Sequence, residues 1–527
     1  MKGSDLFTRA LLHEGVSHIF GLPGEENIDL LDSISRTEIE FILTRHEQGA
    51  AFMADAYGRV KKVPGVCLST LGPGATNLLT GVANAHLDRV PLVAITAQAS
   101  RDRLHKESHQ NVDTVALFSG ITKYNRSIIV PDSIPEIVRK AFSSSMKEQP
   151  GASHIQLPED IGTMEMEELR MIPIPEEAIY EANGDIVNRA ADVINGSKNP
   201  IILAGNGVIR SSSWDNVSKF IHQSGIPIVS TFMAKGIVPY DDPHNLYIVG
   251  GRPFPKELRP LINSDLVIAI GFDMVEYDPV IWNNDSSRKV INIATTVAET
   301  DEHFPVEFDL VGNIGITLEL LCKKVHKRKI SDEFIEIRNR RRAFLDSEGK
   351  GKEIIPKSVI KTLSENNGKN TLVISDVGLH KIWMSRYYQP RFPDRTIIYN
   401  GFASMGGSLP GAIGALKANS ELEVVSVMGD GGFLMNSQEL ETAYRLGLSF
   451  TVVVFNDHTY SLIEKHQEDS GLPPKYIHFT NPDFEMLAKS FHCNYYSAQN
   501  NIEFLKAFTD SRKNDRVNLI EIKLNES

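Results

Sequence analysis

The segment 424–460 constrains the fold more than any other part of the sequence. An apolar run over 424–428 is followed by Gly429-Asp430-Gly431-Gly432, and a second apolar run over 451–455 is followed by Asn456-Asp457. The stretch between them is amphipathic, which predicts a strand, a tight glycine turn, a helix and a second strand. Neighbouring parallel strands deliver their carboxyl ends to one edge of a sheet, where open α/β sheets bind ligands. The two aspartates are therefore predicted to lie together at that edge.

The chemistry of this edge suits a divalent cation that holds a phosphorylated ligand. Carboxylate oxygens are good ligands for hard cations, and backbone N–H groups at the start of a helix bind anions. A Gly-Asp-Gly turn alone is usually only a turn. A second aspartate 27 positions after the first, itself preceded by asparagine, makes the pattern much more specific.

Composition restricts the class of protein. The 527 residues are expected to form about three domains on a prior of roughly 150 residues each. A net charge of −12 argues against a nucleic-acid partner, because no basic stripe is available to neutralise phosphates. The short basic run 340–342 is flanked by acids and is expected on a solvated helix face. The three cysteines are too far apart for a disulfide framework or a metal site. Since no apolar run approaches the roughly 20 residues of a membrane span, we expect a cytoplasmic protein.

Apolar runs alternate with helical patterns along the chain, which predicts an α/β protein with parallel sheets. Two polar, charge-rich stretches, 164–184 and 323–352, are predicted to be linkers. They leave three segments, about 1–165, 185–325 and 350–527. Each segment is expected to form a doubly wound parallel-sheet domain.

Two glycine-containing turns bear on how these segments are organised. Residues 65–96 read as a strand, a Gly-Pro-Gly turn, a helix and a strand, which is the plan of 424–455. This similarity suggests two related sheets flanking a third domain. In the central segment, Gly205-Asn206-Gly207 follows an apolar run but lacks the full G-x-G-x-x-G fingerprint. An ordinary strand-to-helix turn is therefore favoured over a dinucleotide site.

Glu47 stands between an apolar run, 39–43, and an alanine-rich helical pattern. Its simplest interpretation is an acid that complements the dipole at a helix N-terminus. The helix opens with Glu-Gln-Gly-Ala-Ala-Phe and is expected to bury its small face, which would place the carboxylate in a mostly apolar site. From the residues alone both interpretations stay open.

Further motifs follow in order along the chain. They are Gly21-Leu22-Pro23-Gly24, RHEQGAAFMADAYGR (45–59), GPGATN (72–77), DVGLHKIW (376–383), GFASMGGSLPGAIGA (401–415) and the GDG…ND pair. Together they resemble the thiamine-diphosphate (ThDP) enzymes of the acetolactate synthase, pyruvate oxidase and decarboxylase superfamily. The resemblance implies a pyrimidine-binding domain at 1–165, a central Rossmann-like domain at 185–325 and a diphosphate-binding domain at 350–527.

The resemblance also implies roles for individual residues. Glu47 would activate the pyrimidine ring of the cofactor, and Mg²⁺ would bind Asp430, Asp457 and the backbone carbonyl of Thr459. The other implied cofactor-binding residues are Pro23, Gly24, Pro73, Asn77, Gly378, His380, Met405, Gly429, Gly431 and Gly432. In this superfamily the pyrimidine domain of one subunit faces the diphosphate domain of another. A homodimer or homotetramer with active sites between subunits is therefore implied.

Two segments bear on the choice among members. His109-Gln110, followed by D-x-x-A-x-F-x-x-I-T-K-Y, is closer to the catabolic acetolactate synthases than to the FAD-containing biosynthetic ones, which usually carry Phe-Gln. Gly271 stands where FAD-containing members have an arginine. The resemblance therefore implies ThDP and Mg²⁺ without FAD. His109 would donate a hydrogen bond near the substrate, with Gln110 beside it.

The implied reaction is decarboxylation of pyruvate and ligation to a second 2-oxo acid, which gives 2-acetolactate and CO₂. A 2-oxo-acid decarboxylase or another C–C lyase would share every cofactor residue and remains an alternative. A non-catalytic paralogue is a third interpretation, against which the intact Glu47, Asp430 and Asp457 argue. Glu25-Glu26 stands where well-known members have smaller or neutral residues, and this departure leaves the substrates open.

Overall fold

The computed structural model describes residues 1–176, 178–250, 259–347 and 356–524. Three six-stranded sheets follow one another along the chain, and every pair of neighbouring strands in them is parallel. The α/β class and the three parallel-sheet domains are confirmed.

The strands are β1 His18–Gly21, β2 Glu40–Leu43, β3 Gly65–Ser69, β4 Leu92–Gln98, β5 Tyr124–Ser127, β6 Ala152–Pro158, β7 Pro200–Ala204, β8 Ile228–Ser230, β9 Asn245–Ile248, β10 Leu266–Ile270, β11 Lys289–Ala294, β12 Val306–Val311, β13 Thr371–Ser375, β14 Thr396–Ile398, β15 Glu423–Gly429, β16 Thr451–Asn456, β17 Asn494–Ala498 and β18 Asn518–Lys523.

The helices are α1 Gly3–His13, α2 Ile28–Ser35, α3 Glu47–Lys61, α4 Pro73–Leu87, α5 Thr114–Phe118, α6 Ile134–Met146, α7 Glu159–Thr163, α8 Gly184–Gly196, α9 Asn206–Arg210, α10 Trp214–Ser224, α11 Val280–Asn283, α12 Ile314–Cys322, α13 Asp332–Asp346, α14 Pro356–Asn366, α15 Leu379–Tyr387, α16 Ser408–Ala418, α17 Asp430–Asn436, α18 Glu439–Arg445, α19 Ser461–Asp469, α20 Phe484–Ser490 and α21 Asn501–Ser511. Among the described residues, none of these helices combines the length and apolar character that crossing a bilayer requires.

The first and the third sheet have the same strand order. The orders β2-β1-β3-β4-β6-β5 and β14-β13-β15-β16-β18-β17 coincide when the strands are counted from the start of each sheet. The relation between the outer segments is thereby confirmed. In each sheet the order reverses between its first and third strands, and ligands of open α/β sheets bind at the carboxyl ends of such strands.

The central sheet has a different order. It runs β12-β11-β10-β7-β8-β9, which is the 3-2-1-4-5-6 order of dinucleotide-binding sheets when the strands are counted from β7. The Gly205-Asn206-Gly207 turn lies at the carboxyl end of β7, where such sheets bind their ligands.

The outer domains pack together through α3 and α16. A Cβ atom placed on Gly414 of α16 would lie 2.0 Å from the carbonyl oxygen of Met53 in α3, so the two backbones are closer than a larger residue would permit. Phe52 and Tyr399 belong to the same buried core, and their ring centroids are 5.7 Å apart. The first and third domains of one chain therefore share a hydrophobic core.

The segment that follows β15 differs in detail from its prediction. No separate turn precedes the helix, because α17 begins at Asp430 itself with Gly429 as its N-cap. The predicted single helix is divided into α17 and α18 at Ser437-Gln438.

The second predicted linker contains α13, whose buried residues include Phe334 and Ile337. The expectation that the basic run 340–342 is solvated was wrong for Arg341. This side chain is 1% exposed and donates a hydrogen bond to the carbonyl oxygen of Ile248. Successive helical residues point about 100° apart, so the middle of three can face the protein while its neighbours face solvent. Residues 348–355, where the third domain was predicted to begin, lie outside the described residues.

Candidate active site

Glu47 is the first residue of α3 and is only 8% exposed. Asn77 of α4 donates from Nδ2 to Glu47 Oε2 at 2.9 Å. A Cβ atom on Gly74 would lie 3.3 Å from Glu47 Oε1, so the turn that includes Pro73 is adjacent to the carboxylate. The structure thus brings together Glu47, Pro73 and Asn77 at the carboxyl edge of the first sheet.

The turn after β1 lies beside the segment after β3, at the point where the strand order of the first sheet reverses. A Cβ atom on Gly24 would lie 2.4 Å from the Thr70 side chain. Asn27 Oδ1 accepts a hydrogen bond from the Gly24 backbone N–H at 2.9 Å, which fixes the turn that contains Pro23. Pro23 and Gly24 therefore lie at the same carboxyl edge of the first sheet as Glu47, Pro73 and Asn77, and we call the region that these residues share the Glu47 crevice.

The loop that carries His109 and Gln110 reaches the start of α4. A Cβ atom on Gly72 would lie 2.6 Å from the carbonyl oxygen of Gln110, so the loop contacts the Gly-Pro-Gly turn. Both His109 and Gln110 are exposed in the single chain. The structure places the loop near the Glu47 crevice and leaves both side chains accessible.

All predicted site residues of the last segment line one cavity of about 250 Å³. They are Gly378, His380, Met405, Gly429, Asp430, Gly431, Gly432, Asp457 and Thr459. Every residue that lines this cavity comes from position 377 or later. Within one chain, the Glu47 crevice and this cavity are therefore formed by different domains.

Asp430 and Asp457 meet in the cavity because they follow neighbouring strands. β15 and β16 pair in parallel, with Gly429 opposite Phe455. Asp430 Oδ2 accepts a hydrogen bond from the His458 backbone N–H at 2.8 Å. Burial raises the pKa of Asp457 to about 6, an increase that a hydrogen bond from Ser461 opposes and the charge of Asp430 reinforces. A buried and a half-buried carboxylate that repel each other are an arrangement that a divalent cation would stabilise.

The remainder of the cavity suits a phosphate group. Among the described residues, the buried Nε2 atom of His380 has no hydrogen-bond partner. Gly378, which precedes α15, has φ +153°, and a Cβ atom on it would lie 2.7 Å from the His380 ring. A bound anion would provide the partner that a buried polar nitrogen requires. The residues present therefore fit a diphosphate held together with a divalent cation.

Comparisons with known proteins agree with this site. Three family profiles match the chain: the N-terminal thiamine pyrophosphate binding domain over residues 1–117, the central domain over 187–321 and the C-terminal binding domain over 376–522. The acetolactate synthase of Bacillus subtilis (strain 168) is 34% identical over 501 residues, which are 93% of this chain and 87% of that protein. The chain belongs to the acetolactate synthase family.

Other members of the family match over similar lengths. The catabolic acetolactate synthase of Raoultella terrigena is 33% identical over 514 residues, 93% of this chain and 89% of that protein. The probable acetolactate synthase large subunit of Methanocaldococcus jannaschii is 33% identical over 515 residues, 93% and 86% of the two chains. This acetolactate synthase family member is therefore a ThDP-dependent enzyme.

Glu439 was not predicted as a functional residue of this acetolactate synthase family member. Its carboxylate is fully buried and accepts hydrogen bonds from the backbone N–H groups of Arg45 at 3.1 Å and His46 at 3.0 Å. Burial raises the pKa of Glu439 to about 7. Glu439 therefore fixes the backbone from which Glu47 projects. Nearly four hundred residues separate the partners, and no local pattern marks the contact.

Asp376 was also missed. It follows β13, is fully buried, and accepts hydrogen bonds from the backbone N–H groups of Gly406 at 2.9 Å and Gly407 at 3.0 Å. A Cβ atom on Gly432 would lie 2.2 Å from Asp376 Oδ2, so glycine is required there. Burial raises the pKa of Asp376 to about 7. The carboxylate joins the Met405 loop to the glycine-rich start of α17. The sequence feature that could have identified Asp376 is its position directly after an apolar run.

A buried acid also occupies the carboxyl edge of the central sheet in this family member. Both oxygens of Glu276 accept hydrogen bonds from the Asn206 backbone N–H, at 2.9 and 3.1 Å. Thr231 donates its hydroxyl to the same carboxylate at 2.5 Å. Burial raises the pKa of Glu276 to about 8. The start of α9 is therefore already paired with a side chain of the protein itself.

Proposed function

We propose that this acetolactate synthase family member decarboxylates pyruvate and ligates the product to a second 2-oxo acid, giving 2-acetolactate and CO₂. The observation that carries the proposal is that one chain contains both parts of a ThDP site. One part is the buried Glu47, which accepts a hydrogen bond from Asn77. The other is a separate cavity with Asp430, Asp457 and a His380 nitrogen that has no hydrogen-bond partner among the described residues. The names of the relatives, acetolactate synthases in each case, support the same reaction.

The residues of the cavity would hold the cofactor. Asp430, Asp457 and the Thr459 carbonyl would bind Mg²⁺, and His380 with the glycine backbone at the start of α17 would bind the diphosphate. When bound, ThDP supplies the electron sink that allows a 2-oxo acid to lose CO₂ and then join a second carbonyl compound.

Glu47 would share a proton with the pyrimidine ring of the cofactor. The carboxylate is shielded from water and held by Asn77, so its orientation is fixed before the cofactor binds. His109 and Gln110 would place hydrogen-bond donors at the oxygen of the acceptor ketone, the role required for ligation instead of protonation. Both side chains are exposed in one chain and free to face a substrate.

We propose that the working assembly is a homodimer or homotetramer with active sites between subunits. The Glu47 crevice and the diphosphate cavity lie on different domains of one chain, and the cavity takes no lining residue from the first domain. A complete site would form when the crevice of one chain faces the cavity of another.

The product distribution from pyruvate is expected to identify the reaction. With ThDP and Mg²⁺ and without added FAD, 2-acetolactate should form with one CO₂ released for every two pyruvates consumed. Quantifying CO₂, acetolactate and acetaldehyde in the same reaction is the measurement, and a sample kept with EDTA and without ThDP is the control. Acetaldehyde as sole product, with one CO₂ per pyruvate, would instead establish a decarboxylase. Absence of turnover on any 2-oxo acid would favour the non-catalytic paralogue.

The purified protein is expected to contain no flavin. A dinucleotide places its phosphates on the backbone N–H groups at the carboxyl edge of such a sheet, and Glu276 already takes the Asn206 N–H there. Absorbance at visible wavelengths and fluorescence of the heat-denatured supernatant test this, with a flavoprotein purified in parallel as positive control. A stoichiometric FAD signal would contradict the proposal.

A further inference from the structure

His222, Asp242 and His244 form a polar group on the surface of the central domain, here called the His-Asp-His cluster. Their ligating atoms all lie within 4.8 Å of one another. His222 is in the last turn of α10, while the other two residues precede β9. None of the three belongs to the proposed active site.

The geometry of the cluster centres on the carboxylate. His222 Nε2 lies 2.8 Å from Asp242 Oδ2, and His244 Nδ1 lies 3.0 Å from Asp242 Oδ1. The two imidazole rings are nearly perpendicular, at 89°, with their centroids 5.2 Å apart. Each imidazole therefore has one nitrogen within hydrogen-bond distance of a different oxygen of the Asp242 carboxylate.

These separations are those of ligands around one cation. With metal–ligand bonds of about 2.1 Å, neighbouring ligand atoms lie about 3 Å apart at a right angle and about 3.4 Å apart at the tetrahedral angle that Zn²⁺ prefers. A cation between the imidazoles would take both carboxylate oxygens and would replace the protons that now link Asp242 to the histidines. The nitrogen–oxygen separations, now 2.8 and 3.0 Å, would widen by roughly half an ångström in a tetrahedral site.

The loop that carries Asp242 is held from outside the cluster. Arg338 of α13 donates to the backbone carbonyls of Asp241 and Asp242, at 3.1 Å each. Arg342 pairs with the carboxylate of Asp241 at 2.6 Å. These contacts of the two arginines therefore use backbone oxygens and a different acid. The carboxylate of Asp242, 7% exposed, faces the two histidines, and its Oδ1 also accepts the backbone N–H of His244 at 2.8 Å.

We propose that the His-Asp-His cluster binds a divalent first-row transition metal, with Zn²⁺ as the best fit. Two imidazoles and a carboxylate suit Zn²⁺ and its neighbours better than Mg²⁺, which prefers oxygen ligands and octahedral geometry. The side chain of His222 is 49% exposed, so solvent reaches the cluster and can fill the remaining coordination positions. Bound metal would cross-link α10 to the loop before β9 and stabilise this edge of the central domain.

The test uses the full-length protein without ThDP, in excess Mg²⁺ to occupy the proposed Asp430–Asp457 site. Calorimetric titration with Zn²⁺ should show one ion per chain, and Zn²⁺ should raise the Tm. In His222→Gln and in His244→Gln the affinity for Zn²⁺ should fall at least about tenfold. Removing a residue that only hydrogen-bonds to a metal ligand already lowers metal affinity by about that factor. His326→Gln, at an exposed histidine just after α12, and Asp457→Asn should bind Zn²⁺ like the wild type.

Three results would overturn the proposal. They are no Zn²⁺ binding by the wild type, Zn²⁺ binding as tight as the wild type in both His222→Gln and His244→Gln, or loss of Zn²⁺ binding in Asp457→Asn alone. Thermal unfolding without metal establishes whether each variant is folded. If His244→Gln does not fold, His222→Gln decides the question, because its half-exposed side chain contributes less to packing. The outcome does not depend on the reaction that the enzyme catalyses.

Discussion

Glu47→Gln is expected to lower turnover at least about a hundredfold, the scale for losing an acid–base group, while ThDP binding stays largely intact. The amide of glutamine can still accept the hydrogen bond that Asn77 donates to Glu47 at 2.9 Å, so the local packing is kept. It cannot share a proton with the pyrimidine ring. A hundredfold loss corresponds to about 2.7 kcal/mol of transition-state stabilisation.

The measurements are kcat with pyruvate and the Kd of ThDP in the presence of Mg²⁺. Glu38→Gln, a change of the same chemistry at an exposed acid shortly before β2, is the matched control and should behave like the wild type. Turnover close to wild type in Glu47→Gln would refute the assignment. A loss of ThDP binding as large as the loss of turnover would show that Glu47 acts mainly in binding.

Mixing two inactive variants is expected to restore activity. Glu47→Gln and Asp430→Asn should each be inactive alone, because one damages the crevice and the other the cavity. If each active site takes Glu47 from one chain and Asp430 from another, random co-assembly leaves about a quarter of the sites with both residues intact. The co-expressed mixture should therefore show about a quarter of the wild-type activity per chain.

The control is co-expression of Glu47→Gln with the double variant that carries both changes. No site in that mixture contains an intact Glu47, so activity should stay at the level of the single variants. If the first mixture is also inactive although mixed oligomers are isolated with two affinity tags, the complete site lies within one chain. The experiment thus tests the subunit arrangement separately from the identity of the reaction product.

Much of the fold followed from local patterns. Apolar runs that alternate with helical patterns predicted parallel sheets, and the plan shared by 65–96 and 424–455 was confirmed by the identical strand orders of the outer sheets. The meeting of Asp430 and Asp457 in one cavity was predictable for the same reason. Each follows a strand, the strands are neighbours, and parallel pairing brings their ends to one edge.

The errors and omissions arose where the partner of a residue is distant in sequence. Arg341 was assigned to a solvated face because its neighbours in sequence are charged, yet it is buried against β9. Asp376, although it opens the motif DVGLHKIW, and Glu276 were given no role, because both act by accepting backbone N–H groups from other loops. A sequence pattern indicates where helices, strands and turns lie, but it does not indicate which distant loop packs against them.

The sequence by itself determined the family, the three parallel-sheet domains and the two sets of residues on which the proposed cofactor site depends. Only the tertiary structure decided that Glu439 fixes the backbone before Glu47 and that two histidines converge on Asp242. The physical reason is that strands and turns are specified by neighbours in sequence. A buried carboxylate is instead satisfied by whatever donors the packed domains place within about 3 Å of it.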